Sequence, residues 1–174
     1  CIYEDTDGAV WLSSISGVCR YKDKEFKSFT YNQSLGNNHL LGVTVFLEAS
    51  NGEFWLGTET NGLYRVNKSD MSAVEHYKLD QHNENSFASS VVLAIYEDKN
   101  RKIWIGSGGE GLFKYNSEKN DFTRTTIDDG LPSNTITSLK NDNEGFLWMA
   151  APYCIANPNK ESGHSQGYNR TDGL

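Results

Sequence analysis

Four tryptophans, Trp11, Trp55, Trp104 and Trp148, stand in nearly the same local phrase, 44, 49 and 44 residues apart. A chain that repeats one phrase at that interval folds as a series of like units, each burying its apolar face against its neighbours. The first copy reads Ile2-Tyr-Glu-Asp-Thr-Asp-Gly-Ala-Val-Trp-Leu-Ser13 and the third Ile95-Tyr-Glu-Asp-Lys-Asn-Arg-Lys-Ile-Trp-Ile-Gly106. The second spans Phe46 to Gly57 and the fourth Leu139 to Ala150. An acidic residue precedes the Trp by six positions as Asp5, Asp98 and Asp142, with Ala49 in the second copy. A glycine precedes it by three as Gly8, Gly52 and Gly145, with Arg101 the exception.

A second phrase follows the Trp as Gly17-Val-Cys-Arg-Tyr21, Gly62-Leu-Tyr-Arg-Val66 and Gly111-Leu-Phe-Lys-Tyr115, and degrades to Cys154-Ile-Ala-Asn157. A third closes the unit as Leu35-Gly-Asn-Asn38, Phe87-Ala-Ser-Ser90 and Leu131-Pro-Ser-Asn134. The third unit divides into four strand-like stretches, 91–97, 102–107, 111–116 and 121–126, separated by turn residues. The first is almost continuously apolar, as a strand covered on both faces must be. No stretch keeps a 3.6-residue apolar period, so almost no helix is expected. Four antiparallel strands in each unit describe β-propeller blades. The fold class is therefore all-β: four consecutive four-stranded repeats, approximately 1–42, 43–90, 91–134 and 135–174.

In this architecture the Trp bridges neighbouring sheets, and burying one ring contributes about 3 kcal/mol. Recurrence at one strand position makes Trp11, Trp55, Trp104 and Trp148 repeat core rather than a sugar-stacking platform. Four blades are the minimum for closure, and six to eight are more usual. An incomplete propeller would expose the apolar faces of its first and last blades. The expected partners are other blades of a longer parent, or a second copy through those faces.

The net charge of −7 comes with no Lys/Arg stripe, which argues against a nucleic-acid surface. No apolar run has the length of a membrane span, so no membrane insertion by this segment is expected. The chain opens inside a strand phrase, so a missing signal peptide says nothing of compartment. Cys1 and Cys19 read as small buried hydrophobes. A Cys19–Cys154 bridge between the end blades stays open from sequence.

Several motifs imitate chemistry. Residues 106–111, Gly-Ser-Gly-Gly-Glu-Gly, fit G-x-G-x-x-G, but a strand follows where the nucleotide-binding pattern needs a helix. The segment reads as a hairpin turn. Gly163-His-Ser-Gln-Gly167 fits the hydrolase elbow but lacks its buried strand and its helix. Asp5-Thr-Asp-Gly8 and Asp142-Asn-Glu-Gly145 lack the distal ligands of a calcium loop and read as turn caps. They also miss the Asp-box offset of sialidase-type propellers by one residue. His39, His76, His82 and His164 form no metal pair, and no carboxylate pair has a recognisable catalytic arrangement. No catalytic residue, metal or cofactor is implied.

Ile-Tyr-Glu-Asp, Ile-Trp-Ile-Gly and Gly-Leu-Phe-Lys-Tyr, followed by Asp129-Gly-Leu-Pro-Ser-Asn134, resemble the two-component regulator propeller repeat. The resemblance covers four consecutive copies. It departs most in the fourth, where Ala150-Ala-Pro-Tyr-Cys154 replaces the Gly-rich run. Such repeats form the periplasmic sensor region of hybrid two-component system histidine kinase/response regulators of Bacteroidetes, many of which sense oligosaccharides. The resemblance therefore implies a ligand-sensing, extracytoplasmic segment of a signalling receptor with no catalysis of its own. A propeller enzyme (lyase or sialidase-like) and a protein-binding scaffold are the alternatives. No kinase domain is visible, and the parent would be anchored in the inner membrane. A glycan would sit on the loop face, formed by residues 32–39, 80–90 and 128–134 with the turns 58–61 and 108–110. Asn37, His39, Asn85 and Asn134 are the residues there best able to hydrogen-bond sugar hydroxyls.

Overall fold

The computed structural model describes residues 1–14, 17–29, 42–71, 73–78, 85–157 and 166–169. Among these, the strands form four antiparallel sheets, each in sequence order. The first holds β1 (Ile2–Glu4), β2 (Val10–Ser14), β3 (Gly17–Lys22) and β4 (Glu25–Phe29). The second holds β5 (Val43–Glu48), β6 (Glu53–Thr58), β7 (Leu63–Asn67) and β8 (Ala73–Tyr77). The third holds β9 (Val92–Glu97), β10 (Ile103–Ser107), β11 (Leu112–Asn116) and β12 (Asp121–Thr125). The fourth holds β13 (Ser138–Asn141), β14 (Leu147–Ala151), β15 (Cys154–Asn157) and β16 (Gln166–Asn169). The helical element described is a single 3₁₀ turn at Ile127–Asp129.

The sheets stack in chain order as propeller blades and stay open as an arc. The core is accordingly not one body but three layers, one between each pair of neighbouring blades. Trp11, Phe46, Phe54, Leu56 and Tyr64 fill the first. Trp55, Tyr77, Ile105, Tyr115 and Phe122 fill the second. Leu112, Ile136, Leu139, Leu147 and Met149 fill the third, with Trp104 packed against it. Period-2 alternation explains the sharing: one face of each sheet carries the Trp toward the next blade, and the other receives the preceding one.

The Trp residues differ in burial. Trp11 and Trp55 are 0% and 2% exposed, whereas Trp104 and Trp148 are half-buried. Trp148 stacks on Tyr168 of its own blade, ring centroids 6.0 Å apart. Repeat core thus holds fully for two of the four rings; the other two keep one edge in solvent.

The acidic residue six before the Trp has a mechanical role. Asp5 Oδ1 accepts from the backbone N–H groups of Asp7 (2.9 Å) and Ala9 (2.8 Å), while its Oδ2 accepts from Trp11 Nε1 (2.8 Å). Asp98 does the same for Asn100, Lys102 and Trp104 Nε1, and Asp142 for Glu144, Phe146 and Trp148 Nε1. One carboxylate closes the hairpin and fixes the ring, which accounts for these segments as turn caps. In the second blade Ala49 stands in that place, and Trp55 is held instead by stacking on Tyr77 (5.7 Å) and an edge contact with Tyr115 (4.8 Å).

A second carboxylate joins blades. Glu48 accepts from Thr6 N (2.8 Å) and Thr6 Oγ1 (2.7 Å), and Glu97 accepts from Ser50 N and Ser50 Oγ, both at 2.7 Å. Lys68 Nζ adds a clamp between the first two blades, 2.6 Å from Asp7, 2.7 Å from Glu48 and 3.2 Å from Asp5.

The cysteines depart from expectation. All three are free, so Cys19 and Cys154 are not bridged. Cys1 is exposed at the start of β1, and Cys19 is half-buried rather than buried because it lies on the face of the first blade that no described sheet covers.

Candidate ligand site on the loop face

Residues 106–111 form a hairpin turn, not a nucleotide loop. Ser107 Oγ donates to Gly111 O (2.8 Å) and accepts from Glu110 N (3.0 Å). Thr58 Oγ1 builds the same turn with Gly62 O (2.8 Å) and Asn61 N (2.9 Å). The closing glycines have no alternative: Gly111 has φ +90°, and a Cβ there would stand 2.2 Å from Thr125 O.

The segments between blades dock on these turns through backbone bonds. Gly62 N donates to Ser90 O (2.9 Å), and Gly109 N and Gly111 N both donate to Asn134 O (3.1 and 2.7 Å). Phe87 and Leu131 anchor the segments in the core, each under a tenth exposed.

Between the second and third blades this docking leaves a cavity of about 410 Å³, lined by Thr60, Asn61, Gly62, His76, Lys78, Ala88, Ser89 and Ser90. His76 reaches it from β8. Its ring lies flat on Tyr64, centroids 4.0 Å apart, and Nε2 donates to Asn61 O at 2.7 Å. That bond assigns the Nε2–H tautomer. Burial, with Lys78 adding its charge, holds the imidazole below the ordinary histidine range, so the ring is neutral at pH 7. Tyr64 is fully buried beneath it, and burial pushes its phenol up to about 12. Arg124 occupies the matching place in the third blade, donating from Nε to Glu110 O (2.8 Å) and pairing with the Glu110 carboxylate. Among the described residues the lining combines hydroxyls, an amide, a neutral imidazole and one ammonium, with no carboxylate. It can hydrogen-bond a hydroxylated ligand.

The residues proposed from sequence fall differently. Asn37 and His39 lie outside the described residues. Asn134 is committed to structure: its Oδ1 accepts from Ile127 N (2.9 Å) while its carbonyl holds the two glycines. Asn85 is exposed, and its carbonyl accepts from Phe122 N (3.0 Å). Neither Asn85 nor Asn134 lines the cavity. His76, Lys78 and Ser90 line it and were not anticipated. The signal was available in the cross-strand pairing of His76 with Tyr64, where the other blades carry Ser28 and Arg124. Among the described residues no three His, Cys, Asp or Glu come together as metal ligands. Of Gly163–Gly167, only Gln166 and Gly167 are described, and they belong to β16.

The turn-and-Trp geometry recurs in a known repeat. The model of the family described as two component regulator propeller matches residues 86–109 and 130–153. Those two segments are similar to the two component regulator propeller repeat. Among solved structures it is similar to the extracellular domain of the hybrid two component system BT3049 from B. thetaiotaomicron, with 27% identity and a TM-score of 0.77 over 100% of this chain. The extracellular domain of BT4673 from the same organism aligns over 97% of the chain at 19% identity and a TM-score of 0.76. PorZ, a surface component of the type-IX secretion system of Porphyromonas gingivalis, aligns over 85% at 21% identity and 0.62. At these lower identities the likeness is one of fold. The repeats span about a quarter of these chains, 23%, 24% and 24% of their lengths. No curated protein sequence matches the chain.

Proposed function

We propose that this chain is a ligand-sensing propeller segment of a hybrid two-component receptor, placed in the periplasm and responsive to an oligosaccharide. The observation that carries the reading is the 27% identity to a hybrid-system extracellular domain along the whole chain, together with the repeat family itself. The segment contributes binding surface and no catalysis. Its parent supplies the inner-membrane anchor and the kinase.

The loop-face cavity beside His76 is the place for the sugar. Its hydroxyl and amide lining suits polyol hydroxyls, and the imidazole offers a flat edge. Lys78 would favour an oligosaccharide bearing a carboxylate or sulfate. The propeller-enzyme alternative finds no carboxylate among the described residues of this lining. A glycan array probed with the purified chain tests the reading, followed by titration of any sugar bound. His76→Ala and Asn61→Ala should each weaken binding by about tenfold, roughly the loss of one or two hydrogen bonds. Binding unchanged in both variants removes this site, and an array with no sugar retained removes the oligosaccharide.

A further inference from the structure

Each of the first three blades sets a cation over its Trp ring. Arg20 stands 5.8 Å from the centre of Trp11, Arg65 5.9 Å from Trp55 and Lys114 5.2 Å from Trp104. The cation is the cross-strand partner of the Trp in every case, so all three share the Trp face, toward the next blade. At the junction of the second and third blades the guanidinium is satisfied from within. Arg65 Nη1 donates to the Tyr115 hydroxyl (3.2 Å), and its Nε lies 4.0 Å from the Glu53 carboxylate. At the junction of the first and second blades both partners are gone. Ala9 holds the place of Glu53, two before the Trp, and Val66 holds the place of Tyr115, four after the hairpin glycine. Arg20 is half-buried over its ring, and among the described residues its guanidinium has no hydrogen-bond acceptor.

A cavity of about 400 Å³ opens there, lined by Asp7, Arg20, Asn67, Lys68 and Ser69. It lies at the end of the blades opposite the loop face. Residues 5–9 close the β1–β2 hairpin and 67–69 follow β7 toward β8, whereas 58–62 close the other end, between β6 and β7. The two cavities share no residue. The three protons of Lys68 Nζ are taken by Asp5, Asp7 and Glu48. Asn67 Oδ1 accepts from Ser69 N and Ser69 Oγ (2.9 and 2.8 Å), which leaves its amide N–H groups to the cavity. The open groups are therefore the Arg20 fork and an amide donor, beside one acceptor, Asp7 Oδ1, whose sister oxygen Lys68 holds. Asp5, Asp7 and Glu48 against Lys68 and Arg20 leave one net negative charge, which disfavours a dianion such as sulfate. A single carboxylate suits the fork, since guanidinium and carboxylate match as a bidentate pair, and hydroxyls beside it would donate to Asp7.

We propose that this cavity binds a hydroxy-carboxylate of monosaccharide size, a sugar acid. The ligand brings from outside the carboxylate and hydroxyl that Glu53 and Tyr115 present to Arg65 from within.

NMR titration of the 174-residue chain with sodium glucuronate tests this, with glucose and sodium sulfate at matched ionic strength as controls. The expected result is saturable shifts of the amides of Asp7, Arg20 and residues 67–69 with glucuronate alone. Arg20→Gln and Asn67→Asp should each weaken the affinity read at those amides by about tenfold or more, the second by giving Arg20 a carboxylate of the chain's own. Arg20→Lys keeps a cation over Trp11 and loses the fork, so it should weaken binding too. If Arg20→Gln melts below the parent chain, Arg20→Lys and Asn67→Asp decide the question. Equal shifts with sulfate or with glucose overturn the ligand class. No saturation at these amides, variants that bind as the parent does, or shifts confined to residues 60–62, 76–78 and 88–90 overturn the site; the last of these puts the acid in the loop-face cavity instead.

Discussion

Asp5, Asp98 and Asp142 each hold a turn and a ring with one carboxylate, and that economy explains why the residue recurs. Hydrogen bonds to an ionised group contribute about 1.5–3 kcal/mol each where they are shielded. Asp98→Ala should therefore lower unfolding free energy by about 2–4 kcal/mol in urea titration, and Trp104→Phe by less. The double variant should fall short of the sum, since both remove the same bond. The spacing of six was legible in the sequence, but the bond was not. It follows from register: Trp11 pairs with Tyr3 and Asp5 faces Ala9, so Asp5 and Trp11 are diagonal neighbours on one face of the hairpin. The Lys68 clamp gives a pH dependence. Burial alone would raise the carboxyls of Asp5 and Glu48, yet hydrogen bonds from Trp11, Thr6, backbone amides and Lys68 outweigh it and hold both below the ordinary carboxylate range. Groups lowered on folding stabilise fully above their unfolded pKa, about 4, and lose that contribution as pH falls through the folded values. Stability should thus decline below about pH 4, and Lys68→Met should flatten the decline. An equal acid slope in the variant would remove the clamp from the explanation.

At the scale of the hairpin, the sequence exceptions are informative. Arg101 stands where the other blades carry Gly8, Gly52 and Gly145, and it adopts φ 60° like them. A side chain there costs about 1 kcal/mol, so Arg101→Gly should raise the melting temperature by roughly 2–4 °C. Ser107→Ala should lower stability by about 1–2 kcal/mol, since it strips the Glu110 amide of its partner and leaves the Gly111 carbonyl with the Ser107 N–H alone, while Ser107→Thr should be tolerated because Thr58 already builds the same turn. Strands of the third unit were legible to within about one residue at each end, because apolar alternation and turn residues mark both limits. Burial of the individual Trp rings was not. Trp104 and Trp148 occupy the same strand position as Trp11 and Trp55, and only the neighbouring blade decides how far each is covered.

Across the whole molecule, the arc of four blades was readable from four phrases, since a repeat carries its fold in its period. The loop-face site was not. Its cavity is assembled from Thr60–Gly62, His76–Lys78 and Ala88–Ser90, three segments that no single motif joins. Polar loop residues such as Asn134 looked equally suited to a ligand until their hydrogen bonds showed them holding turns. The loop face gathers hydroxyls, an amide, an imidazole and the Lys78 ammonium around that cavity. Hydrogen exchange on the chain with and without a panel of oligosaccharides tests the sensing claim most directly. Binding at the loop face predicts slowed exchange at residues 58–62, 76–78 and 88–90, with the Asp-capped turns at 5–9 and 98–102 unchanged. Protection confined to those Asp-capped turns, or no protection by any oligosaccharide, would contradict it.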